Sequence, residues 1–268
     1  MDSSSKIELS PQDVARFGDD PARSFAANLK TVQGRMAEVC RRCGRGIEDV
    51  RLLPVTKTVP AHVLRFAHGA GVSDFAENKL QEARAKRAVL GELAVNWVII
   101  GHLQTNKAKH LARFASEFHA LDSFRLADEL NCRLDAEGRD LDVFVQVNTS
   151  GEESKYGFGP DDLLPFVERL SEFPRLRPRG LMTLAIFSTD TARVRTCFRR
   201  LRDLRDRAVA VHPGLTQLSM GMSGDFEIAI EEGANIVRVG QAIFGARPTG
   251  EAAYWPGLAQ DPTSETTG

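Results

Sequence analysis

Lys57 is the first residue whose position in the sequence suggests chemistry. It follows the apolar run Leu52-Leu53-Pro54-Val55, and Pro60 closes the segment three residues later. A short apolar run bounded by a breaker is typical of a strand buried on both faces, with Lys57 at its carboxyl end. An amine that has lost hydration is more easily neutral, and a neutral amine attacks an aldehyde or ketone to form a Schiff base. The alternative is a lysine whose ammonium group reaches water from the strand end.

Two glycine-containing segments near the C-terminus have the composition of an anion site. Residues 219–225, SMGMSGD, lead from a predicted strand into a helix, where backbone N–H groups can bind an anion. Capping of that helix by Ser223 or Asp225 explains the same residues equally well. Residues 235–241 repeat the arrangement, and Gly240 allows close approach of the backbone after the next strand.

Arg238 lies within this last apolar strand, on the same face as Ile236 and Gly240. An unpaired buried charge is very costly, so Arg238 needs a partner. That partner is either a carboxylate of the protein or an acceptor on a ligand, such as a ring nitrogen. An amine, an anion cup and a cation between them together describe a site for pyridoxal 5′-phosphate, which supplies the aldehyde, the phosphate and the pyridine nitrogen.

Eight apolar runs alternate with helical patterns along the 268 residues. The runs are 51–57, 72–76, 95–101, 117–122, 141–148, 176–184, 215–220 and 235–240. This alternation predicts a single-domain α/β fold, a TIM (β/α)8 barrel, with an open doubly wound sheet as the alternative. Apolar residues at helical spacing from Pro21 to Arg45 predict an extra N-terminal helix. We expect a disordered tail over 1–19, the barrel over 20–248 and a C-terminal tail over 249–268.

Polar residues recur where the predicted strands end, which is where TIM barrels carry their chemistry. Asn78 follows the second strand, His102 follows the third and Asn148 closes the fifth, while Met182 and Thr183 end the sixth. Each signal is weak alone, because polar residues after a strand often cap the next helix. Their repetition at one end of the barrel favours a binding site there.

The composition excludes several classes of partner. Lys plus Arg (35) nearly equals Asp plus Glu (36), and no apolar stretch is long enough to span a membrane. We therefore expect a cytoplasmic protein that binds neither nucleic acid nor membrane. Cys40 and Cys43 form a CxxC pattern, but no second pair exists to complete a metal site, so none is predicted.

Several motifs resemble the YggS/PROSC family of pyridoxal phosphate homeostasis proteins, which are similar to the barrel half of alanine racemase. The motifs are PVTKTVP (54–60), AENKLQEA (76–83), WVIIGHLQTNK (97–107), VNTSGEESKYGF (147–158), GLMT (180–183) and LSMGMSGDFEIAIEEGANIVRVGQAIFGAR (218–247). The resemblance covers residues 20–247 and implies the same barrel and the same cofactor.

The resemblance also implies roles for individual residues. Lys57 would carry the cofactor as a Schiff base, Arg238 would face the pyridine nitrogen, and Ser223 with the amides of Gly240 and Gln241 would bind the phosphate. The remaining cofactor-binding residues assigned are Asn78, His102, Asn148 and Met182, and Lys155 aligns with a family lysine near the site.

Three departures from the family pattern bear on the site. Ala76 replaces a glycine and is expected to tighten the loop after the second strand. Lys79-Leu80 replaces the commoner Tyr-Val, which removes an aromatic edge. Gln241 stands where threonine is frequent, which puts a side-chain contact to the phosphate in doubt.

A non-catalytic carrier that buffers or delivers pyridoxal phosphate is the favoured function. An arginine opposite the pyridine nitrogen disfavours ring protonation and makes the cofactor a poorer electron sink. Racemases of this fold also take a second base from a separate C-terminal domain, which this chain lacks room for. A weak amino-acid racemase remains the alternative, and a Schiff-base aldolase is a third hypothesis. We expect a monomer and consider apo forms of pyridoxal-phosphate enzymes as candidate partners.

Overall fold

Eight short runs of buried residues form parallel strands of one sheet in the computed structural model, which describes residues 7–246. The strands are β1 (Arg51–Pro54), β2 (Asp74–Glu77), β3 (Asn96–Ile99), β4 (Glu117–Leu121), β5 (Leu141–Gln146), β6 (Leu176–Met182), β7 (Gln217–Ser219) and β8 (Ile236–Val239). Their order is β1-β8-β7-β6-β5-β4-β3-β2, and a bridge between Val55 and Ala76 brings the two ends together. The sheet is thus a nearly closed barrel, and the predicted fold class is confirmed.

One α-helix follows each strand, and two precede the first. The helices are α1 (Pro11–Phe17), α2 (Pro21–Arg42), α3 (Ala61–Gly69), α4 (Leu80–Val89), α5 (Ala108–Leu111), α6 (Phe124–Ala136), α7 (Leu163–Glu168), α8 (Thr191–Val211), α9 (Phe226–Glu231) and α10 (Gln241–Phe244). The extra helix predicted before the first strand is α2, which ends three residues earlier than expected. No helix in residues 7–246 is both long and apolar enough to cross a membrane.

The prediction of a disordered tail over residues 1–19 is wrong for its second half, because Pro11–Phe17 is a helix. Ser10 accepts from the N–H of Asp13, and the Asp13 carboxylate accepts in return from the N–H of Ser10. This capping box satisfies donors that a short helix would otherwise leave free. Phe17 then buries its ring edge-on against Phe25 of α2, with ring centroids 5.9 Å apart. Residues 1–6 of the predicted N-terminal tail and the whole predicted C-terminal tail, 249–268, lie outside the described residues.

The first strand is shorter than predicted, and Lys57 does not belong to it. β1 ends at Pro54, and the backbone then turns, with the N–H of Val59 donating to the carbonyl of Thr56 at 3.1 Å. Thr58 has φ = 65°, a left-handed conformation that a β-branched residue rarely adopts. Lys57 therefore lies in a tight turn three residues beyond the strand.

Ala76 lies inside β2 and not in the loop after it, which corrects the expectation that its methyl group tightens that loop. It is completely buried, and its carbonyl accepts from the N–H of Thr56 at 2.9 Å. The residue thus takes part in closing the barrel between β1 and β2.

Candidate cofactor-binding site

A cavity of about 550 Å³ opens at the carboxyl ends of the strands. Seven of the nine residues predicted to bind a cofactor line it: Lys57, Asn78, His102, Ser223, Arg238, Gly240 and Gln241. They come from the ends of β1, β2, β3, β7 and β8 and from the loops that follow these strands. Cavities of this volume accommodate small cofactors.

The backbone on both sides of Lys57 is held by an ion cluster beneath the turn. The ammonium of Lys86, on α4, donates to the carbonyl of Thr56 at 2.8 Å and to Glu82 at 2.6 Å. The same Glu82 oxygen accepts from the N–H of Thr58 at 2.7 Å. These hydrogen bonds fix the main chain at Thr56 and Thr58, on both sides of Lys57. Lys57 itself is partly buried and lines the cavity.

The ion cluster continues into the barrel wall through Glu77, whose side chain is completely buried. One Glu77 oxygen accepts from Lys86 at 2.7 Å and from the hydroxyl of Thr56 at 2.6 Å. Burial raises the pKa of Glu77, against the opposing effect of the Lys86 ammonium. Removing one member of such a pair leaves the other as an uncompensated buried group.

Arg16 of α1 holds the strained residue next to Lys57. Its guanidinium donates to the carbonyl of Thr58 at 2.6 Å and to the Thr58 hydroxyl at 3.0 Å, and it also contacts the carbonyl of Ala246. Backbone conformations of this kind persist only where the surroundings impose them. Helix α1 thus contributes directly to the shape of the site, and Arg16 also lines the cavity.

The loops after β7 and β8 are joined at the position where an anion cup is predicted. The N–H of Gly240 donates to the hydroxyl oxygen of Ser223 at 3.2 Å. A side chain at Gly240 would come within 3.1 Å of the carbonyl oxygen of Val55, so a glycine fits this close approach. Because the Ser223 oxygen accepts from Gly240, the Ser223 O–H is left as a donor toward a ligand.

Asp225 stabilises the same loop from below. One of its carboxylate oxygens accepts from the N–H of Met222 at 2.5 Å, and the other is buried without a hydrogen-bond partner among the described residues. Burial raises the pKa of Asp225 from 3.8 to about 6. Of the two candidates for helix capping, Asp225 acts on the loop, while Ser223 faces the cavity.

Arg238 is 2% exposed, and its side chain makes two hydrogen bonds to other described residues of the barrel. Its guanidinium donates to the hydroxyl of Ser219 and to the carbonyl of Thr183, both at 2.8 Å. No salt bridge within residues 7–246 involves Arg238, so the carboxylate partner considered from the sequence is not what satisfies it. Burial lowers the pKa of Arg238 to about 10, opposed by the charge of Asp225, and the group remains cationic at neutral pH.

His102 lies between a carboxylate and an aromatic ring at the cavity mouth. Its Nδ1 is 2.7 Å from Asp122, and its ring stacks on Tyr156 with centroids 3.7 Å apart and planes 5° apart. Lys155, beside Tyr156, donates to the carbonyl of Ala185 at 2.8 Å. The mouth is therefore formed by the loops after β3, β5 and β6.

Asn148 and Met182 are not brought to the surface of the cavity. The Asn148 amide donates to the carbonyls of Glu152 and Lys155 and so shapes the loop that carries Tyr156. Met182 is completely buried in β6. Both residues were predicted to bind the cofactor because they lie at strand ends. Their side chains do not line the cavity, and the position of a residue at a strand end does not reveal the direction of its side chain.

Sequence reasoning missed Arg16 and Phe187 among the residues that line the cavity. The pattern Ser10-Pro11-Gln12-Asp13 is a helix-start signal that could have revealed α1 and hence Arg16. Phe187 lies in the loop after β6, half-exposed, and no local pattern in the sequence distinguishes it.

Comparison with known proteins agrees with this geometry. The family described as alanine racemase, N-terminal domain, matches residues 27–248. The pyridoxal phosphate homeostasis protein of Pseudomonas aeruginosa is 43% identical over 230 residues, covering 86% of this chain and 99% of the relative. The protein of the same name from Aquifex aeolicus is 42% identical over 220 residues, covering 82% and 96%.

A solved structure extends the comparison to three dimensions. PipY of Synechococcus elongatus, solved with pyridoxal phosphate bound, is similar to this chain with a TM-score of 0.73 and 32% identity. The similarity covers 82% of this chain and 100% of PipY. This chain therefore belongs to the family of pyridoxal phosphate homeostasis proteins, which is built on the barrel of the alanine racemase N-terminal domain.

Proposed function

We propose that this protein binds pyridoxal 5′-phosphate, holds it covalently at Lys57 and serves its homeostasis in the cell by buffering or delivery. The observation that carries the proposal is the meeting of Lys57, Ser223 and Arg238 on one cavity. When bound, the cofactor supplies an aldehyde that condenses with an amine to form a Schiff base. Relatives that share the name pyridoxal phosphate homeostasis protein support the same function.

The residues present fit the three polar parts of this cofactor. The Ser223 hydroxyl has a free proton to donate to a phosphate oxygen, because its oxygen already accepts from Gly240. The Gly240 amide is engaged by that bond, so the expected phosphate contact is assigned chiefly to Ser223 and the Gln241 amide. The guanidinium of Arg238 has five N–H donors, makes two hydrogen bonds to other described residues and borders the cavity.

We assign the remaining predicted residues to supporting roles. Asn78 and His102 border the cavity proposed to hold the cofactor. Position 101, beside them, accepts only glycine, because a side chain there would come within 2.2 Å of the Asn78 carbonyl oxygen. Asn148 acts through the loop it shapes, and Met182 acts through packing beneath the site.

A non-catalytic role agrees with the proposed position of Arg238 beside the pyridine ring of the cofactor. A guanidinium that is charged at neutral pH disfavours protonation of a neighbouring pyridine nitrogen, which limits the ability of the ring to accept electrons. The alternative is a weak amino-acid racemase. One observation favours it: Tyr156 stacks on His102, which is paired with Asp122, at the cavity mouth. These groups are candidates for the base that a racemase needs to accept a proton. A racemisation assay with alanine and other amino acids separates the two functions.

The setting of this function is also part of the proposal. We propose a cytoplasmic protein whose partners are the cofactor and apo forms of pyridoxal-phosphate enzymes. Balanced charge over the chain supports the absence of nucleic acid and membrane partners.

The first test is an absorbance spectrum of the purified protein with pyridoxal phosphate, followed by borohydride reduction and peptide mapping. We expect a visible band and a pyridoxyl group trapped on Lys57. The Lys57→Ala variant should lose both while its fold stays intact, because the side chain lies at the cavity and outside the core.

Lys155→Ala is the matched control, since Lys155 is the other lysine of the cavity that aligns with a family lysine. It should retain the band. A band that survives in Lys57→Ala and disappears in Lys155→Ala would move the covalent site, and a protein that pyridoxal phosphate cannot colour would refute the proposal.

A further inference from the structure

A chain of hydrogen bonds runs through the barrel interior from Arg238 toward the amino ends of the strands. The Ser219 hydroxyl, which accepts from Arg238, is 2.9 Å from Nδ1 of His119. Nε2 of His119 is 2.9 Å from one oxygen of Glu117, and the other oxygen accepts from Arg51 at 2.6 Å. Ser219 and His119 are completely buried and lie behind the cavity wall.

Counting donors sets the direction of each bond. A guanidinium can only donate, so the Ser219 oxygen accepts from Arg238 and its own proton is available for Nδ1 of His119. If Nδ1 were protonated, Ser219 would receive two N–H groups and its own proton would be buried without an acceptor, which is costly. His119 is therefore neutral, with its proton on Nε2 pointing to Glu117.

The electrostatics of the buried groups agree with this order. Burial lowers the pKa of His119, which favours a neutral ring. Burial alone would raise the pKa of Glu117, but the hydrogen bond from His119 and the charge and hydrogen bond of Arg51 oppose burial and hold the pKa below its usual value. The far end of the chain is thus an ionised carboxylate, and each group polarises the next toward Arg238.

We infer that Ser219 and His119 are positioning residues for Arg238, which orient its guanidinium and set its effect on the ring nitrogen of bound pyridoxal phosphate. The effect on the ring nitrogen rests on the proposed function, because it requires bound pyridoxal phosphate. The donor order is a property of the protein alone. We call Arg238, Ser219, His119 and Glu117 the donor relay.

The donor relay can be tested first without cofactor. A long-range ¹⁵N–¹H spectrum of the histidine-labelled apoprotein identifies the protonated nitrogen of each imidazole, and His119→Gln assigns the signal by its disappearance. We expect a neutral ring with the proton on Nε2. A charged ring, or a proton on Nδ1, would overturn the donor order and with it the inference.

The second test measures the effect on the bound cofactor. Removing the acceptor in Ser219→Ala should raise the dissociation constant of pyridoxal phosphate about tenfold and shift the visible absorbance maximum, because a hydrogen bond to a charged group is lost. His119→Leu removes both the acceptor and the donor, whereas His119→Gln keeps one of each. The leucine variant should therefore resemble Ser219→Ala, and the glutamine variant should lie closer to wild type.

Leu204→Ala, in the buried face of α8, is the control for destabilisation away from the donor relay. It should lower the unfolding temperature and leave the spectrum unchanged. Unchanged spectra and affinities in folded Ser219→Ala and His119→Leu would refute the positioning role. If wild type itself failed to bind pyridoxal phosphate, the proposed function and the effect on the ring would fall together, and the apoprotein spectrum would still decide the donor order.

Discussion

At the residue scale, burial decides which groups of the site carry charge. Arg238 stays cationic although burial lowers its pKa to about 10, while Asp225, one loop away, has its pKa raised to about 6. The first group can contact an acceptor on a ligand at any physiological pH. The second changes its charge just below neutral pH, beneath the loop that carries Ser223.

Asp225 makes stability depend on pH in a direction opposite to that of a salt-bridged carboxylate. Between pH 3.8 and about 6, the folded protein holds a proton that the unfolded chain has released. The free energy of unfolding contributed by this residue therefore falls as pH rises through that window, by about 3 kcal/mol in total.

Asp225→Asn should remove this contribution, so the free energy of unfolding of the variant should gain on wild type between pH 4 and pH 7. Urea titrations of both proteins at unit pH intervals measure the difference. The exposed Asp203→Asn variant serves as a control for the loss of a surface carboxylate. Parallel curves for Asp225→Asn and wild type would contradict the raised pKa.

At the element scale, α1 and α4 hold the turn that follows β1. Arg16 binds Thr58 from one side, and the Lys86–Glu82–Glu77 cluster holds Thr56 and Thr58 from the other. The left-handed conformation of Thr58 thus depends on contacts from elsewhere in the chain. Lys57 owes its position to these neighbours more than to the strand before it.

Lys86→Met should lower the free energy of unfolding by about 3 to 5 kcal/mol, because Glu77 would remain buried without its cation. Denaturant titration measures the loss. Adding Glu77→Gln should recover part of it, since the uncompensated charge is then absent. Lys109→Met, at an exposed position of α5, is the matched control and should change stability little. A small effect of Lys86→Met would mean that water reaches Glu77.

At the scale of the whole molecule, the barrel and its N-terminal helices form one structure. Phe17 of α1 packs on Phe25 of α2, which packs in turn on Phe244 of α10 with centroids 5.2 Å apart. This aromatic series joins the first described helix to the last. The helix that was expected to be part of a disordered tail is therefore a component of the core.

Phe17→Ala should lower the free energy of unfolding by about 3 kcal/mol, through loss of buried ring area and a cavity beside Phe25. Thermal unfolding followed by circular dichroism measures the change. Val89→Ala, at a side chain that is 53% exposed, should have little effect. An equally small effect of Phe17→Ala would show that α1 does not contribute to the cooperative core.

We propose that the protein is a monomer with or without pyridoxal phosphate, because Lys57, Ser223 and Arg238, which are proposed to hold the cofactor, line one cavity of the same chain. Sedimentation equilibrium measures the mass of the particle over a range of concentrations. A stable dimer in which mixed inactive variants restore each other's cofactor binding would contradict this prediction.

Some features of the fold follow from short-range patterns. The eight strands and the helices between them were predictable, since buried parallel strands are apolar runs and their helices have a different period. The residues at which individual strands and helices end were less predictable. The predicted strand over 51–57 is wrong at its end, because the turn at Thr56–Val59 is held by Arg16 and Glu82, which lie far away in sequence.

By itself, the sequence determined the fold class and the family, and it proposed the residue types of the candidate site, because Lys57, Ser223 and Arg238 stand in strand-end patterns that neighbouring residues define. Only the tertiary structure decided which strand-end residues face the cavity and which, like Asn148, shape a loop instead. It alone joined Arg238 to Ser219, His119 and Glu117 across the barrel interior. Contacts of this kind depend on how strands from distant parts of the chain are oriented around a common axis, and no local pattern of residues records that orientation.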